Sequence, residues 1–342
     1  MSNLSAIILA AGKGTRMNSE RAKVTFNLAE KPIIQRVVNT ALKANCSKIY
    51  VVVGYQKESV IGSLHEDSRL IFVEQPEQLG TGHAVMMVEP VFSEREEDVF
   101  ILCGDVPLLK PETLKKLYNE HCTSSASCTI LTSIMDNPGN YGRILRNASG
   151  EITGIVEFKD ASEEQKAIKE WNTGIYCFKA GDMFDALKQI SSTNNQNEYY
   201  LTDVVSVLAK QGKKISSVIL DNPIEAAGVN SQEQLAELED LFIAEICRYW
   251  LNNGVVIHNP RTVYIGEEVA IETDVEIGQN SIILGKSELR KGAYIGPNCY
   301  IEDTVLCDNS LLEGYNILVN AHIPEGHILE FGEKTIEDLD YE

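Results

Sequence analysis

The chain has 342 residues, 44% of them hydrophobic, and a formal net charge of −20. Such a length exceeds one ordinary core and implies two domains, and so acidic a balance excludes a surface built for nucleic acid or an anionic membrane, leaving room for a small cation cluster that holds one anionic ligand. Eight cysteines form no CxxC pair and no basic leader precedes a long apolar run, so the expected state is cytoplasmic, with reduced, buried thiols.

The first apolar run, "AIILA" (Ala6 to Ala10), reads as a buried strand and leads straight into "LAAGKGTRM" (Leu9 to Met17). Gly12 and Gly14 lack side chains, so backbone amides can close on phosphate oxygens, while Lys13 and Arg16 supply positive charge. The stretch is neither a Rossmann fingerprint, since GxGxxG fails at Met17, nor a P-loop, since no GK[ST] follows at the required spacing. After Pro32, Ile33, Ile34, Val37, Val38, Ala41 and Leu42 recur at helical spacing. "KIYVVV" (Lys48 to Val53), "LIFV" (Leu70 to Val73) and "VFILC" (Val99 to Cys103) read as further buried strands. Strand and helix in alternation imply a mainly parallel α/β sheet covered on both faces, with ligands bound at the carboxyl ends of strands near a switch in strand order. Three loops leave such ends: the opening loop, the loop starting at Gly54, and "GDVP" (Gly104 to Pro107).

Residues 1–230 form this first domain. Residues 231–252 read as a connecting helix whose apolar stripe is Leu235, Leu238, Phe242, Ile246 and Tyr249. Beyond it the period becomes six. Ile265, Ile271, Ile277, Ile283, Leu289, Ile295 and Ile301 recur every sixth residue, and Val269, Val275, Ser281, Ser287, Ala293, Cys299 and Val305 follow each by four. After one five-residue step the ladder resumes at Leu306, Leu312 and Leu318. This is the hexapeptide signature of a left-handed parallel β-helix over residues 253–329, with an aliphatic residue inside and a small one at each tight corner; it supplies about ten rungs, or about three coils. Antiparallel strands of a sandwich would instead alternate with variable turn spacing. The acidic tail, 330–342, is expected to fray.

The motifs "LAAGKGTRM", Lys23 in "AKV", "EQPEQLGTGHA" (Glu74 to Ala84), "GDVPLL" (Gly104 to Leu109), "YGRI" (Tyr141 to Ile144), "GIVEFKDA" (Gly154 to Ala161), "WNTGIY" (Trp171 to Tyr176), "EYYLTD" (Glu198 to Asp203) and "GVN" (Gly228 to Asn230) follow one another in this order. In that order they resemble the bacterial N-acetylglucosamine-1-phosphate uridyltransferase family over the whole first domain, and the helix and ladder follow the same layout. The resemblance implies a Rossmann-like, GT-A-like nucleotidyltransferase domain before the β-helix. It implies transfer of UMP from UTP to N-acetylglucosamine 1-phosphate with release of pyrophosphate, supplying a cell-wall precursor. In-line attack of one anion on another needs positioning and charge suppression rather than a covalent nucleophile.

By the same resemblance, Arg16, Lys23 and Asp105 are the catalytic candidates, with Lys13 and Arg16 on the triphosphate and Lys23 on the transferring phosphate. Mg²⁺ is implied as cofactor, on Asp105 and Asn230. Leu9, Ala10, Ala11 and Gly12 fall near the nucleotide, and Gln75, Gly80 and Thr81 match uracil-recognising positions, with Gln78 a weaker addition. Cys103 and Gly104 precede the metal carboxylate, and Gly142, Glu157 and Asn172 match positions that hold the sugar; Tyr199 serves equally as packing beside Tyr200. From the motif alone, Asp105 is as well explained as a turn residue before Pro107.

Two departures stand out. Ala22 replaces the family's usual proline before the lysine, removing a local restraint on Lys23, and Cys103 replaces a tyrosine near the sugar. The ladder ends before the coils on which bifunctional family members acetylate glucosamine 1-phosphate, and His322 and His327 lack the surrounding basic and aromatic motif. The expectations are therefore no acetyltransferase activity, no nucleic-acid or membrane partner, and a homo-oligomer, a trimer through the β-helix. The rival readings are a related enzyme for another sugar 1-phosphate or nucleotide, and a non-catalytic nucleotide-sugar-binding protein.

Overall fold

A computed structural model describes residues 4–92 and 95–336. The chain divides into two units, one up to Leu235 and one from Ala236. In the first, β1 (Leu4–Leu9), β2 (Lys48–Val53), β3 (Leu70–Glu74), β4 (Asp98–Cys103), β5 (Cys128–Ile134), β8 (Glu170–Lys179) and β9 (Ile215–Ile219) build the main sheet in the order β9-β5-β8-β4-β1-β2-β3. β1 pairs in parallel with both β2 and β4, while β8 runs antiparallel to β4 and β5. A hairpin of β6 (Arg143–Arg146) and β7 (Ile152–Val156) attaches to β8 where Trp171 meets Arg143.

Period-two alternation along β1 explains the two cores. Ala6 and Ile8 face a cluster containing Ile34, Val37, Val38 and Ala41 of helix α1 (Ile33–Lys43) and Leu114 and Leu117 of α4 (Pro111–Ser124). Ile7 faces the opposite cluster, with Val85 of α3 (Thr81–Met86), Phe184 of α5 (Ala180–Leu187) and Val205 of α6 (Thr202–Lys210). β1 and β2 are buried on both faces as expected. β3 is not: it ends the sheet, and Phe72 is exposed.

The strand order reverses beside β1. From β1 the chain adds β2 and β3 on one side, then crosses to place β4 on the other. The carboxyl ends of β1 and β4 thus lie side by side, with Leu9 paired to Cys103 and Gly104 N donating to Leu9 O at 2.9 Å. That is the strand-order switch where open α/β sheets bind ligands. Close by, β8 shifts register between Asn172 and Tyr176, a bulge that turns side chains toward this end of the sheet.

In the second unit, short strands form three parallel sheets of five, five and four strands among the described residues. Ile257, Ile277, Ile295, Leu312 and Leu329 stack in one interior column; Ile265, Ile283, Ile301, Leu318 and Thr335 in the next; Ile271, Leu289, Leu306 and Ile323 in the third. The ladder is therefore longer than ten rungs. Its first rung, Ile257, escapes the period because eight residues separate it from Ile265, and a second five-residue step leads to Ile323. The tail expected to fray from Glu330 still contributes a strand, Lys334–Ile336; residues 337–342 lie outside the described residues. The corner residues Val269, Val275, Ser281, Ser287, Ala293 and Cys299 are buried as expected, but the next corner is Thr304 rather than Val305, because that coil is one residue shorter. Asp274, Asn280, Asn298, Asp303, Asn309 and Asn320 take the left-handed conformation at turns, where short polar side chains tolerate it best.

Helix α7 (Gln232–Asn252) forms where the apolar stripe places it. Its later buried residues are Ile243 and Cys247, while Tyr249 is 58% exposed, so the stripe turns away from the expected one after Leu238. All eight cysteines are free; Cys122 is exposed, against expectation. No helix among the described residues is long and apolar enough to cross a membrane.

Candidate active site

The opening loop closes on the segment that carries Lys23. Gly14 adopts φ 64°, and a β-carbon there would lie 2.6 Å from Lys23 Cβ, so this position requires glycine both for its backbone and for its neighbour. Lys23 begins a short 3₁₀ turn, Lys23–Thr25, and its ammonium donates to Asp105 Oδ2 at 2.5 Å and to Asn230 Oδ1 at 3.0 Å. Arg16 Nη2 donates to the same Asn230 oxygen at 2.8 Å. The four catalytic and metal candidates therefore meet at one point. Asp105 is no turn cap, since its carboxylate receives an ammonium. Its backbone carbonyl accepts Val229 N at 2.9 Å, which holds the "GVN" segment beside "GDVP".

A cleft of about 300 Å³ opens at this place, lined by Leu9, Ala10, Ala11, Gly12, Lys23, Gln75, Gln78, Gly80, Thr81, Cys103 and Asp105 among the expected residues. Val24, Ala84 and Glu198 line it as well and were not anticipated. Glu198 stands in the quoted "EYYLTD" motif, which was the available signal. Gly80 has φ 110°, and a β-carbon would meet the Tyr199 carbonyl oxygen at 2.6 Å. The Leu79–Gly82 and Tyr199–Leu201 segments lace together there: Tyr199 N donates to Leu79 O at 2.8 Å, Gly82 N to Tyr199 O at 2.7 Å, and Leu201 N to the Thr81 hydroxyl at 3.1 Å. Gln75, buried, donates through Nε2 to Gly80 O at 3.2 Å and lies 3.0 Å from His83 Nδ1, while Gln78 donates to Gln75 O at 3.3 Å. Lys13 is outside the lining; its ammonium sits 5.4 Å from the centre of the Tyr55 ring.

A second group continues from Cys103. The Cys103 thiol donates to Gly174 O at 3.5 Å, and Gly174 N donates to Asn172 Oδ1 at 3.2 Å. Asn172 Nδ2 donates to the Tyr176 hydroxyl at 2.7 Å, and Asn172 N to Gly142 O at 2.9 Å. Gly142 and Asn172 are thus adjacent, but the Asn172 amide is occupied within the protein rather than pointing open into the cleft. Glu157 Oε1 accepts the Thr202 hydroxyl at 3.1 Å. Burial pushes the Glu157 carboxyl above its ordinary range, and Asp203, Asp160 and Glu198 add to this against the Thr202 hydrogen bond. Tyr141 stacks on Trp171 at 4.2 Å between ring centres, and its hydroxyl reaches the Gly228 backbone, linking this group to the Asn230 segment.

Burial first, then the Asp105 charge, pushes the Cys103 thiol up to about 12 despite the nearby Lys23. A neutral thiol is a poor nucleophile, so Cys103 is not set up for covalent catalysis. Among the described residues no group of three or more His, Cys, Asp or Glu could hold a metal ion by itself.

The Nucleotidyl transferase family profile matches residues 5–256. The bifunctional protein GlmU of Geobacillus sp. (strain WCH70) is 44% identical over 87% of this chain and 64% of its own length. That of Carboxydothermus hydrogenoformans is 41% identical over 94% of this chain and 71% of its own, and that of Syntrophotalea carbinolica 42% over 96% and 68%. The chain thus spans only 64% of the first of these relatives. A crystal structure of UDP-glucose pyrophosphorylase complexed with UDP-glucose superposes with a TM-score of 0.59 at 20% identity, over 72% of this chain and all of that one. This last likeness establishes the sheet architecture. From the family profile and these relatives, the chain belongs to the nucleotidyl transferase family, in the company of the GlmU proteins.

Proposed function

We propose that the chain transfers UMP from UTP to N-acetyl-α-D-glucosamine 1-phosphate, giving UDP-N-acetylglucosamine and pyrophosphate. The observation that carries this reading is the convergence of Arg16, Lys23, Asp105 and Asn230 beside the cleft at the strand-order switch. A protein that only bound nucleotide sugars would have no chemical need for all four.

Asp105 Oδ2 and Asn230 Oδ1 already aim at a common cation, the Lys23 ammonium. Two hard oxygens with a single carboxylate suit Mg²⁺, which is held by few protein ligands and completed by water and substrate phosphate. Asp105 and Asn230 would hold it, and when bound it would supply positive charge that screens the phosphates from one another. In this reading Lys23 then leaves the carboxylate for the phosphate being transferred. Arg16 and Lys13 draw the departing pyrophosphate, and the amides of Ala11 and Gly12 sit against the nucleotide. Gln75, Gly80 and Thr81 frame the base; Glu157, Asn172 and Gly142 frame the sugar, once Asn172 exchanges its Tyr176 contact for the acetamido or a hydroxyl group. Cys103 leaves space beside that sugar.

The β-helix serves assembly in the same reading. Tyr294, Leu311 and Ile328 stack on the outer face of one sheet, Tyr294 and Ile328 exposed, a short apolar strip that self-association into a trimer would cover. The test of function is pyrophosphate release and product mass with Mg²⁺, crossing UTP, dTTP, ATP, CTP and GTP with N-acetylglucosamine, glucosamine and glucose 1-phosphates. UTP with the acetylated sugar should lead. Preference for another pair would move the specificity, and silence across all pairs would remove the enzyme reading.

A further inference from the structure

Tyr55 and Gln56 stand in the loop between β2 and helix α2 (Lys57–Gly62), outside the cleft lining, yet they bind together the segments that carry Lys13 and Lys23. Tyr55 N donates to Ala11 O at 3.1 Å, and the Tyr55 ring lies under the Lys13 ammonium. The hydroxyl of the same side chain donates to Glu20 O at 3.0 Å. Gln56, at φ 50°, holds its side chain so that Oε1 accepts the Ala22 amide at 3.1 Å. Ala22 in turn closes the turn that starts at Lys23: its carbonyl accepts Thr25 N at 3.0 Å and Thr25 Oγ1 at 2.8 Å.

We propose that Tyr55 and Gln56 are positioning residues, a clamp that fixes the Lys23 segment against the opening loop and so aligns the triphosphate with the attacking sugar phosphate. This rests on the uridyltransferase reading above. Two loops that each present a lysine need a fixed separation, since an error of about 1 Å in alignment lowers turnover by about 100-fold. Neither residue touches the cleft, so the clamp acts through Lys13 and Lys23. The Ala22 amide is the donor Gln56 captures, and with φ −61° its backbone already lies where a proline ring would hold it.

That coincidence supplies the test. Gln56→Ala, Gln56→Glu and the double variant Gln56→Ala with Ala22→Pro are compared with the unaltered chain for kcat, melting temperature and hydrogen exchange over Lys23–Thr25. Gln56→Ala should lower kcat by about 10-fold and speed exchange in that segment, with no more than the small fall in melting temperature that one lost hydrogen bond gives. Gln56→Glu keeps an acceptor oxygen, and the proline restores the backbone restraint by other means, so both should recover kcat. Full kcat in Gln56→Ala, or a loss that neither second change repairs, would overturn the clamp. If the unaltered chain transfers no UMP, the uridyltransferase reading fails, and exchange still decides the clamp: faster in Gln56→Ala supports it, unchanged refutes it.

Discussion

In the coiled unit each interior side chain stacks on one a single coil away, as Ile277 does on Ile295 and Leu289 on Leu306, whereas the residues that meet in the cleft come from unrelated, widely spaced segments. Lys23 and Asp105 are separated by 82 positions and Arg16 and Asn230 by 214. The coils repeat one solution, an aliphatic residue inside and a small one at the corner, and their stability is a sum of local stacking terms. The sheet unit buries its apolar residues in two layers and leaves its charged ones at the carboxyl edge, where charge has to be balanced by partners from elsewhere in the chain. Stability is thus distributed in one unit, while chemistry is concentrated in the other.

The sharpest way to break this contrast is Asp105→Ala. It should lower turnover by about 10³-fold and leave both thermal transitions in place, as followed by pyrophosphate release and circular dichroism. Normal activity with Mg²⁺ present would take Asp105 out of the mechanism. The reverse change is Ile295→Ala, at a fully buried position of the coil interior. It should destabilise the coils by about 3 kcal/mol with kcat unchanged, and an equal loss of turnover would show that the two units do not divide the labour.

Thr304→Val probes the corner. The Thr304 hydroxyl donates to Glu302 O at 2.8 Å and accepts Ala321 N at 3.2 Å, so its loss should cost about 1 kcal/mol in denaturant titration. The smallest effect concerns Glu157. Its carboxyl is raised from 4.5 chiefly by burial, so the folded state binds this proton more tightly than the unfolded one. Stability from this group is full below 4.5 and is lost as pH rises through the raised folded value. Glu157→Gln should therefore melt higher than the unaltered chain at pH 7, with the difference gone near pH 4; a difference that persists in acid would reject burial as the cause.

Much of this was legible in the sequence, for physical reasons that differ between the units. Periods of two and six placed the central strands and the ladder, because interior packing admits few residue types. They missed Ile257, Thr304 and the last rungs, where insertions of two residues and deletions of one break the period while the stacking continues. In the cleft, Gly12 and Gly80 of the quoted motifs line the wall and Lys23 and Asp105 meet there, while Lys13 stays outside the lining. Asn172 was harder to read: the bulge in β8 turns its amide onto Tyr176, and a bulge has no signature in spacing. Gln56 was silent for the same kind of reason, since a polar residue after a strand looks like any solvated loop until its partner, Ala22, is known. Glu198 lies within a quoted motif, but a carboxylate before two tyrosines reads as a solvated loop residue until the fold brings it to the cleft.

The central claim is direct transfer at the meeting point of Lys23, Asp105 and Asn230, with no covalent intermediate on the protein. The measurement that tests it most directly is the configuration at the α-phosphorus when the chain converts one diastereomer of UTP bearing sulfur in place of an α-phosphate oxygen, with N-acetylglucosamine 1-phosphate as acceptor. A single in-line displacement predicts inversion in the UDP-sugar product. Retention would mean two displacements and a nucleophile in the cleft, and would contradict the account.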